Sequence, residues 1–229
     1  MEDFRRYAVY FAPRDGAFAD AVASWLGWDP VRGVAVAHPD LAGLPMPVAD
    51  LTGEPRKYGF HGTIKAPFRL AAGVGFSDLQ AEVSALAARL RPVVTPGLRL
   101  AALKGFVALL PEGDEADLLA LGAEVVTRLD HLRAPLTEAE VAKRRPERLS
   151  ARQRELLGRW GYPYVLEEFR FHLTLSGSLG PAEVDAVMGV LGPWLAPLLP
   201  RPFVIEDLCL FGEDAAGRFH LLSRHALTG

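Results

Sequence analysis

Phe60-His61-Gly62-Thr63-Ile64 and Phe171-His172-Leu173-Thr174-Leu175 repeat one pattern, Phe-His-x-Thr-aliphatic, and the reading of the whole chain turns on them. With six histidines and seven threonines in 229 residues, chance supplies only about 0.2 His-x-Thr triplets. Two of them with matched flanks call for a reason. Side chains alternate across a strand, so His61 and Thr63 share one face while Phe60, Gly62 and Ile64 take the other. The second segment repeats this, with His172 and Thr174 outward and Phe171, Leu173 and Leu175 toward a core. Two residues further along these faces stand Gly59 and Lys65 on the first strand, and Arg170 and Ser176 on the second.

Working outward, Tyr7, Val9 and Phe11 form one side of an apolar run ended by Pro13, which predicts an early, central strand. Phe18 to Leu26 reads as a short helix, and Val31 to Arg56, with four prolines and no periodicity, as loop. Tyr58 to Leu70 is strand-like. Ser77-Asp78-Leu79-Gln80 reads as a capping box for a helix that Pro92 stops. Leu98 to Leu110 predicts a hairpin about Lys104-Gly105, followed by a helix from Asp117 to Leu132. Thr137-Glu138-Ala139-Glu140 and Ser150-Ala151-Arg152-Gln153 are further capping boxes that frame a charged connection. Phe169 to Ser176 is the second motif strand, Pro181 opens a helix to Ala196, and Phe203 to Phe211 and Phe219 to Ala226 close the chain as strands. The halves repeat the order helix, motif strand, helix, strands, so internal duplication is expected.

Half of the residues are hydrophobic, 23% are charged, and the mean hydropathy is +0.13, as in ordinary globular chains. The net charge of −3 and pI near 6.1 argue against indiscriminate nucleic-acid binding. Cys209 is the single cysteine, which excludes an internal disulfide and a cysteine zinc cage. The N-terminus lacks a signal-peptide core, and the longest uncharged stretch, Ala186 to Pro200, is too short and too proline-rich to span a bilayer. These features predict a soluble cytoplasmic protein.

Each motif anchors itself by burial and presents an imidazole beside a hydroxyl. If both converge on one cleft, one histidine takes a proton from a nucleophile, the other gives one to a leaving oxygen, and the hydroxyls hold nonbridging phosphoryl oxygens. Lys65 and Arg170 would supply fixed positive charge there, against the plain alternative of solvated strand-end charge. His38, His131, His220 and His225 lack this context and read as surface or core residues. The run Lys143, Arg144, Arg145, Arg148, Arg152 and Arg154 reads first as a solvated face, with an anion contact as the alternative. Trp160, Tyr162 and Tyr164 offer stacking rings, with core packing expected for at least two of the three.

The two motifs resemble those of the 2H phosphoesterase superfamily. Arg6 to Phe11, Tyr58 to Phe68 and Trp160 to Tyr164 are similar to one uncharacterised branch associated with bacterial phosphonate-utilisation operons. The resemblance implies an α+β fold over residues 1–229. Its single domain would have two pseudo-symmetric lobes, each an antiparallel sheet with packed helices, around a central cleft. It further implies a cyclic phosphodiesterase without metal or cofactor. His61 and His172 would be the acid-base pair, Thr63 and Thr174 the phosphate-binding hydroxyls, and Tyr58 and Lys65 branch-typical extras. Its ligand would be a small cyclic phosphate of a nucleotide or sugar, with an RNA end also admitted and no membrane partner. Gly62 fills a slot where a larger residue is expected to pack better. The rivals are a non-catalytic module that binds a phosphorylated ligand and a metal-dependent hydrolase. The sequence offers neither His-x-His nor His-Glu-x-x-His for the latter.

Overall fold

A computed structural model describes residues 4–229. In chain order its elements are β1 (Arg6–Phe11), α1 (Ala17–Leu26), β2 (Trp28–Asp29), β3 (Val34–Ala35), α2 (Val48–Leu51), β4 (Gly62–Phe68), α3 (Phe76–Ala87), β5 (Val93–Thr95) and β6 (Leu98–Leu103). There follow β7 (Phe106–Pro111), α4 (Ala116–Arg128), α5 (Glu138–Lys143), α6 (Ala151–Trp160), β8 (Leu173–Thr174), α7 (Pro181–Leu195), β9 (Phe203–Ile205), β10 (Asp207–Glu213) and β11 (Phe219–Ala226).

The main sheet has seven strands in the order β11-β10-β1-β4-β8-β7-β6, antiparallel at every pairing. Its two halves, four strands and three, meet where the motif strands β4 and β8 pair at Gly62↔Leu173. The α+β class with antiparallel sheets and packed helices is therefore as expected.

Alternation along β1 gives the sheet two faces. Tyr7, Val9 and Phe11 join the main core, into which α1, α3, α4 and α7 send Trp25, Leu79, Val125 and Leu191. Ala8, Tyr10 and Ala12 join a smaller cluster on the other face with Phe211 and Phe219. Phe60, Phe171, Leu173 and Leu175 are buried in the main core, as the motif pattern predicts. Trp25 Nε1 donates to Leu175 O at 2.7 Å and ties α1 to the second motif. Among the described residues no helix is long and apolar enough to cross a membrane.

Several expected boundaries shift. The second motif strand shrinks to Leu173–Thr174, because the residues before it bond locally: Leu166–Glu168 form a 3₁₀ turn and the Arg170 guanidinium donates to Glu167 O and Phe169 O. The helix expected from Ser77 begins at Phe76, with Asp78 accepting from the Gly75 N–H at 2.7 Å. The expected loop from Val31 to Arg56 holds β3 and α2, and a 3₁₀ turn begins at Pro55. The Thr137 and Ser150 capping boxes form as expected.

Gly62 reverses its expectation. A Cβ built there would lie 2.3 Å from Phe171 Cζ, so the ring of the second motif occupies the space a side chain would need. Phe171 is itself held edge-on by Phe11, with centroids 6.3 Å apart, and by the tilted ring of Phe203 at 6.1 Å. Alanine in a strand ordinarily gains from a less flexible unfolded chain. Here Gly62→Ala is expected to lose about 1–3 kcal/mol to overpacking. The loss should shrink in a Phe171→Leu background, as denaturant titration of the four proteins of that cycle will measure.

Candidate active site

Carrying the antiparallel register of Gly62↔Leu173 by one residue each way sets His61 opposite Thr174 and Thr63 opposite His172. Opposed side chains of such a pair start about 5 Å apart at Cβ. The four residues thus form a two-by-two block, with histidines on one diagonal and threonines on the other. All four are half-buried, on the face of the sheet opposite the main core.

The backbone orients both rings in the same way. His61 Nδ1 lies 2.9 Å from Gly59 O, and His172 Nδ1 lies 2.8 Å from Arg170 O. A carbonyl only accepts, so Nδ1 carries the hydrogen in each neutral ring and Nε2 is left as the acid or base. Gly59 holds its carbonyl in place with φ near +68°, where a Cβ would meet Pro30 Cγ at 2.6 Å.

The surroundings of the two rings differ. Tyr10 stacks on His61 with centroids 4.0 Å apart, and Tyr58 tilts against it at 5.5 Å. His172 has Phe106 at 5.8 Å. Burial pushes the His61 pKa down to about 4; the Gly59 hydrogen bond opposes this and the nearby His172 adds to it. His61 is accordingly neutral at physiological pH. The same enclosure drives the Tyr10 phenol well above its usual range.

A cavity of about 450 Å³ is lined by His61, Thr63, Thr174, Tyr58 and Tyr10. Its neighbour of about 410 Å³ is lined by Thr63, His172, Arg170 and Tyr164. They share Thr63, Ala66, Lys104, Phe106 and Tyr162, and so form one cleft across both motifs. A smaller space of about 20 Å³ beside Lys65 and Arg133 reaches none of these four histidine and threonine side chains. Among the described residues no three His, Cys, Asp or Glu side chains are grouped to hold a metal ion.

Of the predicted residues, His61, His172, Thr63, Thr174, Tyr58 and Arg170 all line the cleft. Lys65 does not. Val9 pairs with Lys65 and Tyr10 with Thr63, so one step along β1 spans two along β4, and Ile64 is the extra residue of a bulge. Lys65 is thereby turned into the helix-covered side, where its Nζ donates to Val126 O at 3.2 Å and lies 3.6 Å from Asp130 Oδ1. Burial lowers its pKa to about 8, with Asp130 opposing the fall.

Sequence reasoning passed over Tyr10, Arg6, Lys104 and Phe106, which also face the cleft. Alternation from Tyr7, Val9 and Phe11 already put Tyr10 on the face opposite the core. Within the basic run, Arg144 alone lines the cleft, its guanidinium 4.9 Å from the Tyr162 ring centre. Arg152 pairs with Glu155 and Glu167. Core packing was expected for two of the three aromatics near it. Trp160 and Tyr162 do pack against Val126, Leu156 and Val165, and Tyr162 also lines the cleft together with Tyr164, which is 41% exposed. His38, His131, His220 and His225 stay outside it, bonded to Ser24 O and Trp25 O, Arg128 O, Asp214 and Ser223 respectively.

Residues 63–220 match a family described as a protein of unknown function (DUF1045). A protein named ribose 1,5-bisphosphate phosphokinase PhnN, from Janthinobacterium sp. (strain Marseille), is 39% identical over 94% of this chain and 49% of its own length. The chain thus spans about half the length of the curated relatives it matches. Among solved structures, a phosphoesterase is 16% identical with a TM-score of 0.43, over 98% of this chain and 99% of its own. E. coli LigT complexed with 3′-AMP is 15% identical with a TM-score of 0.45, over 99% of this chain and 100% of its own.

The enclosure of His61 has a consequence for stability. An unfolded histidine titrates near 6.5 and the folded ring near 4, so between these values the unfolded chain takes up a proton that the folded one refuses. Stability from this source is complete above pH 6.5 and falls as pH drops toward 4. Relative to His61→Asn, the wild-type protein should lose about 1–3 kcal/mol over that window. Urea titrations at a series of pH values will read it, and parallel profiles for the two proteins would remove burial of His61 as the cause.

Proposed function

The chain belongs to the DUF1045 family of unknown function, and we propose that it is a metal-independent phosphodiesterase that hydrolyses a cyclic phosphate of a nucleotide or sugar. The observation that carries this reading is the diagonal block of His61, Thr174, Thr63 and His172 in one cleft. Opposed imidazoles suit in-line displacement at phosphorus, in which the nucleophile enters on one side and the leaving oxygen departs on the other. The residues belong to one unit, to which each half contributes one motif.

His61, neutral and enclosed, serves as the base. Its Nε2 takes a proton from the attacking water as the water oxygen bonds to phosphorus. His172, in its protonated form, gives a proton from Nε2 to the departing ester oxygen, and the ring opens to a phosphomonoester. Thr63 and Thr174 donate hydroxyl hydrogen bonds to the nonbridging oxygens, and Arg170 adds positive charge at the His172 end. Tyr58 positions the His61 ring.

The resemblance to the superfamily supports the reaction class. The relatives' printed name supports a phosphorylated ribose among the substrates and the link to phosphonate metabolism. The test is turnover of a panel of cyclic phosphates in the presence of a chelator. His61→Ala and His172→Ala should each lower kcat by about 10²–10⁴. The acid limb of kcat/KM should lie near pH 4, where His61 becomes protonated. Losses under tenfold in both variants, or activity that only added metal restores, would sink the assignment.

A further inference from the structure

We infer that Lys104 and Arg144 form a second anion subsite in the cleft, which takes a phosphomonoester carried by the substrate in addition to its cyclic phosphate. The inference rests on the phosphodiesterase reading for the first phosphate, and on charge and backbone geometry for the second.

Of the charged groups that line the larger cavity, two are already neutralised. Arg6 is held by both oxygens of Glu213, at 2.5 and 2.7 Å, and Glu54 pairs with Lys57 at 3.2 Å. Lys104 and Arg144 have no carboxylate partner among the described residues, although both line the cavity. A cyclic phosphodiester carries a single negative charge, which the Arg170 guanidinium at the His172 end of the cleft is enough to balance. Arg170 faces the neighbouring cavity together with Glu168. Two positive charges therefore remain over. A phosphomonoester, with a charge of about −1.5 to −2 near neutral pH, matches them.

Each side chain is also held in place, Lys104 by a strained turn and Arg144 by its helix end and an aromatic ring. Lys104 and Gly105 join β6 to β7, with Leu103 opposite Phe106, and both turn residues have positive φ, +47° and +87°. Such a tight turn favours Asn-Gly, and a lysine in the left-handed region is disfavoured. The turn is pinned beside the second motif, where Leu179 N–H donates to Gly105 O at 2.7 Å. The ammonium this turn carries reaches both parts of the cleft. Arg144 ends α5, whose Glu140 is clasped by Arg69 at 2.9 and 3.0 Å, and its guanidinium lies over the Tyr162 ring. Arg144 lines only the cavity that holds His61 and Tyr58, so the second phosphate belongs on that side.

Calorimetric titration of ligand pairs that differ by one phosphate tests this without turnover. The pairs are adenosine 3′-phosphate with adenosine 3′,5′-bisphosphate, and ribose 5-phosphate with ribose 1,5-bisphosphate. In the wild-type protein the second phosphate should tighten binding about tenfold or more in at least one pair. Lys104→Met and Arg144→Met should each shrink that ratio to about threefold or less, and Lys104→Arg should keep most of it. Thermal melting checks that each variant is folded. A ratio near one in both pairs overturns the subsite. So does a ratio that neither variant changes, or one that falls equally in Arg148→Met, a cation outside the cavity. A bisphosphate preference in a protein that turns over no cyclic phosphate would keep the subsite and discard the phosphodiesterase reading.

Discussion

The pairing of Gly62 with Leu173 decides how the rest of this molecule is arranged. It is the ladder contact between β4 and β8, and it joins the four-strand and three-strand halves of the sheet. The strands can approach because Gly62 has no side chain and the Phe171 ring fills the space beneath it. A residue with a Cβ would push the ring against Phe11 and Phe203, and those contacts run into the main core. The same pairing sets each histidine across from the other motif's threonine. Packing on one face of the sheet therefore fixes the spacing of polar groups on the other, with a precision that side chains on mobile loops would lack.

The halves repeat in topology but not in surroundings. Each histidine is oriented by the carbonyl two residues before it, so both present the same nitrogen. Tyr10 and Tyr58 enclose one ring, whereas the other meets Phe106. The proposed reaction needs one histidine that stays neutral, and desolvation of His61 supplies it without adding a carboxylate. Tyr10 lies on the central strand β1, directly opposite Thr63. The ring that stacks on His61 is thus as rigidly placed as the histidine itself.

Much of this was legible in the sequence where local pattern and final environment agree. The alternation in Phe60 to Ile64 and Phe171 to Leu175, the hairpin at Lys104-Gly105 and the Thr137 and Ser150 caps each depend on residues a few positions apart. Lys65 was misplaced because its orientation depends on a bulge, and the bulge exists only through the pairing with Val9 and Tyr10, some fifty positions earlier in the chain. Gly62 was misread for a similar reason, since the atom that excludes a side chain belongs to Phe171. Arg144 could not be told from its basic neighbours by composition. What distinguishes it is the turn after α5 and the ring of Tyr162.

The fate of Lys65 also explains where the positive charge of the cleft comes from. Inside the helix-covered layer its ammonium is desolvated, and Asp130, which also binds Arg133 at 2.8 Å, keeps it charged. A cation committed in that way fastens α4 to β4 and is lost to any ligand. The cleft must then draw its charge from outside the motif strands: Lys104 from a hairpin tip, Arg144 from the connection after α5, and Arg170 from the turn before β8. The groups proposed to transfer protons sit on a sheet that cannot shift without disturbing the core. The charges that would recognise a ligand sit on connections, whose sequence can change at little cost to the fold. Under the proposed function, such a division would let one acid-base centre serve different phosphorylated ligands, with the connections choosing among them.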